Sequence, residues 1–204
     1  YFMRAIMAGF FIVVAMIFSN VVGNVFAGAE EPAWGKFLGA LVFSIAVLLI
    51  SMVGGELFTG NTLITIGVLE KKIKLKDMLS NWFFVYLGNF VGALFIAYMM
   101  NMSGLFNSGD NMLGGITLKI AAYKTHLTFS QAFYLGIMCN WLVCIAVWMS
   151  YGAKDIIGKC FAIFFPISLF ITSGFEHSIA NMYYIPAGIL AKSNASWVEA
   201  SGLT

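Results

Sequence analysis

The sequence predicts an all-α, polytopic membrane protein with two broken helices. Three observations carry that expectation. Of the 204 residues, 61% are apolar and 10% are charged, whereas a soluble globular domain has about 25% charged residues. The apolar residues gather into stretches long enough to cross roughly 30 Å of hydrocarbon. Two of these stretches carry the same polar signature, Gly54-Gly55-Glu56-Leu57-Phe58-Thr59-Gly60-Asn61 and, 120 positions later, Gly174-Phe175-Glu176-His177-Ser178-Ile179-Ala180-Asn181. Both read E-x-x-x-small-N. An ionisable residue flanked by helix-weakening Gly, Ser and Asn at membrane depth is costly, so it lines an aqueous cavity or a binding site in preference to facing lipid.

Each span follows from charge-free length. Ala5 to Ala29 has no charge and crosses the bilayer at about 1.5 Å per residue. A signal peptide is the competing reading, with Arg4 before the run and Ala27-Gly28-Ala29 after it, but an h-region spans only about 7–15 residues. The second stretch, Phe37 to Leu69, holds Glu56 as its one charge and would measure about 50 Å as a straight helix. It must tilt strongly or break, and Gly54-Gly55 is the place to break. Met78 to Met102 and Gln131 to Ala153 are third and fourth spans of ordinary length. The fifth, Cys160 to Leu190, repeats the excess length, with Glu176 and His177 inside it and Pro186 further on.

Loop charges set the orientation. Lys71, Lys72, Lys74 and Lys76 crowd the link between spans two and three, and Lys154 and Lys159 flank the link between four and five. Both links fall on one side, and clustered lysine marks the cytoplasm. The opposite side takes Glu30, Glu31, Pro32 and the longer polar connection from Asn101 to Ser130. Trp34, Trp82, Trp148, Tyr151, Tyr183 and Tyr184 suit either an interfacial belt or packing. If spans one to three form one repeat (about 1–103) and the rest a second (about 104–204), the two halves have opposite topology. Inverted repeats with broken helices meeting at the midplane are a transport architecture. The second repeat is incomplete in this single domain of 1–204: five of six expected spans are visible, and the chain reads as a piece of a longer one.

Other classes are weaker. Cys139, Cys144 and Cys160 are odd in number and sit in apolar surroundings as small hydrophobes, so no disulfide framework, metal or other cofactor is expected. A net charge of +2 gives no reason to expect a nucleic-acid partner. A membrane enzyme would need ligand-spaced histidines or a nucleophile elbow, and neither motif is present. A neutral-solute pore of the aquaporin kind shares the half-helices, but the paired N-P-A signature is missing.

The motifs around the two breaks, together with Asn81-Trp82, Tyr86-Leu87-Gly88-Asn89, Ala146-Val147-Trp148-Met149-Ser150-Tyr151 and Ile185-Pro186-Ala187-Gly188, resemble the formate/nitrite transporter family over nearly the whole chain. The resemblance implies an aquaporin-like fold of six spans, a homopentamer with one pore per protomer in the bilayer of the bacterial inner membrane, and transport of small weak-acid anions. It implies His177 as the central pore histidine and Thr59, with Leu57 and Phe58, as the loop interrupting span two. It also implies Phe170 with Leu57 and Phe58 as apolar constriction residues, Lys124 near the central site, and Asn140 as a polar residue of the pore chamber. The Glu56-Leu57-Phe58-Thr59-Gly60 loop resembles the hydrosulfide-channel branch, so hydrosulfide is the first expectation, with formate and nitrite close behind.

The residues give this a physical basis. Moving a bare anion into a dry pore is opposed by several kcal/mol even after relaxation. Lys124 could draw anions inward, and the start of a broken helix offers unpaired N–H donors. His177, a residue type with an ordinary pKa of about 6.5, could then protonate the anion, or remain neutral and donate only a hydrogen bond. Glu56 and Glu176 are expected to hold the interrupted backbones by accepting N–H bonds, with Asn61 and Asn181 as further structural residues at the two breaks. His126 is expected at the surface. Lys124 has a second reading, as a solvated charge on a short amphipathic helix within Thr117 to Thr128.

Overall fold

The computed structural model describes residues 1–25 and 33–203, and regular structure among them is entirely helical. The expected Ala27-Gly28-Ala29 end of span one and the Glu30-Glu31-Pro32 turn lie outside the described residues.

Helix α1 spans Phe2–Val25. Helices α2 (Ala33–Phe43) and α3 (Ile45–Val53) divide at Ser44, whose hydroxyl donates back to the Leu41 carbonyl at 2.7 Å in the manner that bends apolar helices. The chain then breaks where Gly54-Gly55 predicts, and resumes in α4 (Phe58–Asn61) and α5 (Ile64–Leu69). Helix α6 runs Leu75–Met102, α7 Met112–His126 and α8 Phe129–Gly152. Then come α9 (Ile156–Thr172), a second break, α10 (Ser178–Ala191) and the short α11 (Ala195–Ser201). Among the described residues, α1, the α2–α3 pair, α6 and α8 are each long and apolar enough to cross a membrane. Helix α9 stops after 17 residues, so the fifth predicted span is divided between α9 and α10.

Local signals set the helix starts. Thr128 and Gln131 form a reciprocal capping box at α8, and the Asp155 carboxylate accepts from the Gly158 N–H at 2.6 Å at α9, each satisfying donors that a helix start leaves unpaired. Small residues set the closest helix contact. Ala5 and Gly9 on α1 face Gly88 and Gly92 on α6, where a Cβ on Gly88 would lie 2.6 Å from the Ala5 methyl. Such small-x-x-x-small faces bring backbones together where lipid provides no hydrophobic drive.

Two expectations change. The connection from Asn101 to Ser130 is about half helix, because α7 is longer than the predicted amphipathic segment, and it is buried through Leu113, Gly114, Gly115, Thr117, Leu118 and Ala121. Its glycines let Trp197 and Ala200 of α11 come within van der Waals reach, and the Trp197 indole donates to Asn107 Oδ1 at 2.8 Å. The aromatic set also divides. Trp34, Trp148 and Tyr151 are exposed, whereas Tyr183 is buried in the core, Trp82 donates to the Asn61 carbonyl at 3.0 Å, and the Tyr184 hydroxyl donates to Asn20 Oδ1 at 3.1 Å.

Candidate functional site

The two breaks have nearly the same backbone geometry. Gly54 (φ 73°) and Gly174 (φ 76°) end the preceding helices in the left-handed region that favours a residue without a Cβ. The next residue closes the turn in each case: the Gly55 N–H donates to the Ile50 carbonyl at 2.7 Å and the Phe175 N–H to the Phe170 carbonyl at 3.0 Å, the six-to-one bond of a Schellman motif. Two residues on, Leu57 (φ −106°, ψ 124°) and His177 (φ −105°, ψ 116°) are extended and begin α4 and α10. The 120-residue spacing thus makes Leu57 the counterpart of His177, and Glu56 that of Glu176.

Each glutamate is held by the asparagine five residues on. Glu56 Oε2 accepts from Asn61 Nδ2 at 2.7 Å, and Glu176 Oε2 from Asn181 Nδ2 at 3.0 Å. The carboxylates thus bond side-chain amides, where the expectation was that they hold the interrupted backbones. The backbone is stitched by other groups. Asn89 of α6, fully buried, accepts from the Phe58 N–H at 3.0 Å and donates to the Glu56 and Ala5 carbonyls at 2.9 and 2.8 Å. At the second break His177 itself caps α10, its Nδ1 accepting from the Ala180 N–H at 3.2 Å.

That cap fixes the imidazole. Because Nδ1 receives a backbone N–H, the proton of the neutral ring is on Nε2. Nε2 lies 3.2 Å from Thr59 Oγ1, so side chains from the two breaks meet at this contact. Both residues are buried. The Phe170 ring stacks on the imidazole with centroids 5.8 Å apart, and Phe43, the last residue of α2, meets Phe170 edge-on at 6.2 Å.

Two cavities adjoin this contact, and both are lined by Glu176 and His177. One of about 540 Å³ includes Phe58, Thr59, Thr62, Cys139 and Asn140 in its walls. The other, about 450 Å³, includes Lys36, Phe43, Lys119, Lys124, Phe170 and Tyr184. Thr62 donates to the Thr59 carbonyl at 2.7 Å and accepts from Asn140 Nδ2 at 3.1 Å, so Asn140 joins Thr59 through one hydroxyl. Lys124, near the end of α7, is not a solvated charge. Its ammonium lies 2.7 Å from Glu176 Oε2, with side chains only 11% and 6% exposed, and 5.6 Å from the Tyr184 ring centroid. His126 is exposed, as expected.

The structure brings His177, Thr59, Lys124, Asn140, Glu176 and Phe170 together. It separates the other two constriction candidates. Leu57 is buried and is absent from the walls of both cavities. Phe58 touches the larger cavity, but its ring packs edge-on against Tyr86 and Trp82 of α6 at 5.0 and 6.0 Å. Sequence reasoning assigned no role to Asn89, Phe43, Lys36 or Lys119. Asn89 had a signal, an amide within an apolar span; Phe43 had none.

Comparison with known proteins agrees with this geometry. The sequence pattern of the formate/nitrite transporter family matches residues 1–202. The chain is 44% identical over 191 residues to the formate channel FocA of Haemophilus influenzae, covering 93% of this chain and 66% of that protein. It is 38% identical over 195 residues to FocA of Escherichia coli strain K12, covering 96% and 68%. It thus spans about two thirds of the length of these relatives. A solved structure described as a pentameric formate channel with formate bound superposes with a TM-score of 0.87 at 38% identity, covering 98% of this chain and 79% of that one. The two matching breaks, the Thr59–His177 contact between them and the family match across almost every residue lead to one conclusion: the chain belongs to the formate/nitrite transporter family.

Proposed function

We propose that this chain builds the permeation path of a channel for small monovalent weak-acid anions, formate first among them, as one protomer of a homopentamer in the bacterial inner membrane. The family and its named relatives are transporters and channels, so the chemistry to explain is passage, not catalysis. The carrying observation is the Thr59–His177 contact at 3.2 Å, with cavities on its flanks. The matching breaks support the division into repeats of about 1–103 and 104–204.

In this reading the buried Lys124–Glu176 pair borders the path beside His177, and the imidazole acts as a fixed hydrogen-bond donor. A proton-transferring imidazole would have to carry a second proton on Nδ1, and that proton would face the Ala180 N–H donor. The cap therefore favours a neutral ring that offers its Nε2–H, with the Thr59 hydroxyl, to the passing anion. Phe170 and Phe43 form the dry collar beside it, where dewetting holds back other solutes. Asn140 and Thr62 supply hydrogen-bonding groups on the other flank.

Formate is preferred over hydrosulfide for two reasons. The named relatives are formate channels. The slim Gly60 that suggested a hydrosulfide path turns toward Val147 of α8, where a Cβ would lie 3.4 Å from its methyl, and Gly60 is absent from the walls of both cavities. The test is initial influx of formate, nitrite and hydrosulfide into proteoliposomes bearing the full-length protein, after subtracting leak of the neutral acids through lipid. Formate is expected to enter fastest, with most of its flux lost in His177→Ala. Hydrosulfide dominance overturns the substrate, and absence of all three fluxes overturns the anion path.

A further inference from the structure

The smaller cavity carries two cations that the central pair does not use. Three lysines, Lys36, Lys119 and Lys124, line it against one carboxylate, Glu176. Lys124 is committed to that carboxylate. Lys36, in the first turn of α2, and Lys119, on α7, are exposed, and among the described residues neither forms an ion pair. Lys36 Nζ overhangs the second break, 3.9 Å from where a Cβ on Gly174 would sit, three positions before His177. Lys119 shares the cavity wall with Ile120, Tyr123 and Lys124, the spacing that places residues on one face of a helix. Phe43, Phe170 and His177, whose rings contact one another in sequence, are also in the cavity's walls.

We propose that Lys36 and Lys119 form an outer capture site for the permeating anion, a small monovalent carboxylate of formate size, one step before His177. This rests on the channel reading above and adds to it where the anion first stops. An ammonium is a compact, strongly hydrated point charge, so two exposed ones hold a hydrated anion weakly and release it inward, as conduction requires. Their field acts at a distance. A cleft lined by one sign of charge raises local ion concentration and association rate by about 10- to 1000-fold, and two screened lysines belong at the low end of that range. The attraction reaches about 30 Å at 0.01 M salt and about 10 Å at 0.1 M, so capture must fade with ionic strength.

The test compares wild type, Lys36→Gln, Lys119→Gln and the double variant, each full-length, for formate influx at about 0.01 M and about 0.1 M salt. In the double variant the half-saturating formate concentration is expected to rise about tenfold at low salt and less than about twofold at high salt, with each single variant intermediate. Thermal midpoints in detergent equal to wild type establish that the variants are folded. Line broadening of ¹³C-formate by the solubilised protein reads capture without transport. Broadening that falls in the double variant supports the capture site even where wild type carries no flux, a result that would sink only the channel reading. Broadening and low-salt half-saturation that both match wild type overturn the capture site.

Discussion

Neutralising one member of the Lys124–Glu176 pair should destabilise the protein more than neutralising both. At 2.7 Å two unit charges attract by about 6 kcal/mol at an effective dielectric of about 20, an attraction largely offset by removing both ions from water. Glu176→Gln keeps an acceptor for Asn181 Nδ2 but leaves an ammonium only 11% exposed without its counter-charge. Lys124→Gln strands the carboxylate and removes the cation beside Tyr184. Breaking such a buried pair costs about 3–5 kcal/mol, which at about 2–4 °C per kcal/mol for a domain of this size lowers the unfolding midpoint by about 6–20 °C. The double variant buries no net charge and should recover about half of that loss. The assay is thermal unfolding of the full-length protein in detergent, run as a double-mutant cycle. Single variants within about 2 °C of wild type, or a double variant whose loss equals the sum of the singles, would refute the claim that the pair is a buried, coupled unit.

Three further outcomes follow from the same geometry. His177→Asn keeps an N-cap acceptor for the Ala180 N–H and should unfold within about 3 °C of wild type, whereas His177→Ala loses the cap, worth about 1 kcal/mol, and unfolds earlier; equal midpoints for the two would remove the capping role. Thr59→Val keeps the shape but deletes the hydroxyl facing His177 Nε2, so formate influx should drop about tenfold or more while Thr59→Ser stays close to wild type, the equivalent of about 1.4 kcal/mol at the barrier; full influx in Thr59→Val removes the hydroxyl from the path. A Cβ at Gly54 meets nothing within 4 Å, so Gly54→Ala isolates the strain of a left-handed backbone, about 1–2 kcal/mol, read as a midpoint lowered by about 2–8 °C; a raised midpoint would show that the turn relaxes.

Most of the candidate site was legible because polar residues inside a membrane stand out against their surroundings. Glu56, Asn61, Glu176, His177 and Asn181 were visible as costly interruptions of apolar runs, and Gly54 and Gly174 marked where the helices had to stop. Lys124 was harder. Its neighbourhood in the chain has enough polar residues to suit a loop, and only the fold places its ammonium against a carboxylate 52 residues away. Phe43 and Leu57 show the opposite limit: both are large apolar residues in apolar helices, and nothing local distinguishes the one beside Phe170 from the one packed away from both cavities.

The sequence by itself determined the membrane class, the positions of both helix breaks and the pairing of one break with the other, because span length, burial of charge and backbone flexibility are local properties. Tertiary structure alone decided that Thr59 meets His177, that Asn89 rather than a glutamate stitches the first break, and that Lys124 lies buried beside Glu176. These are contacts between residues distant in the chain, and hydropathy and spacing carry no information on which helix face turns toward which.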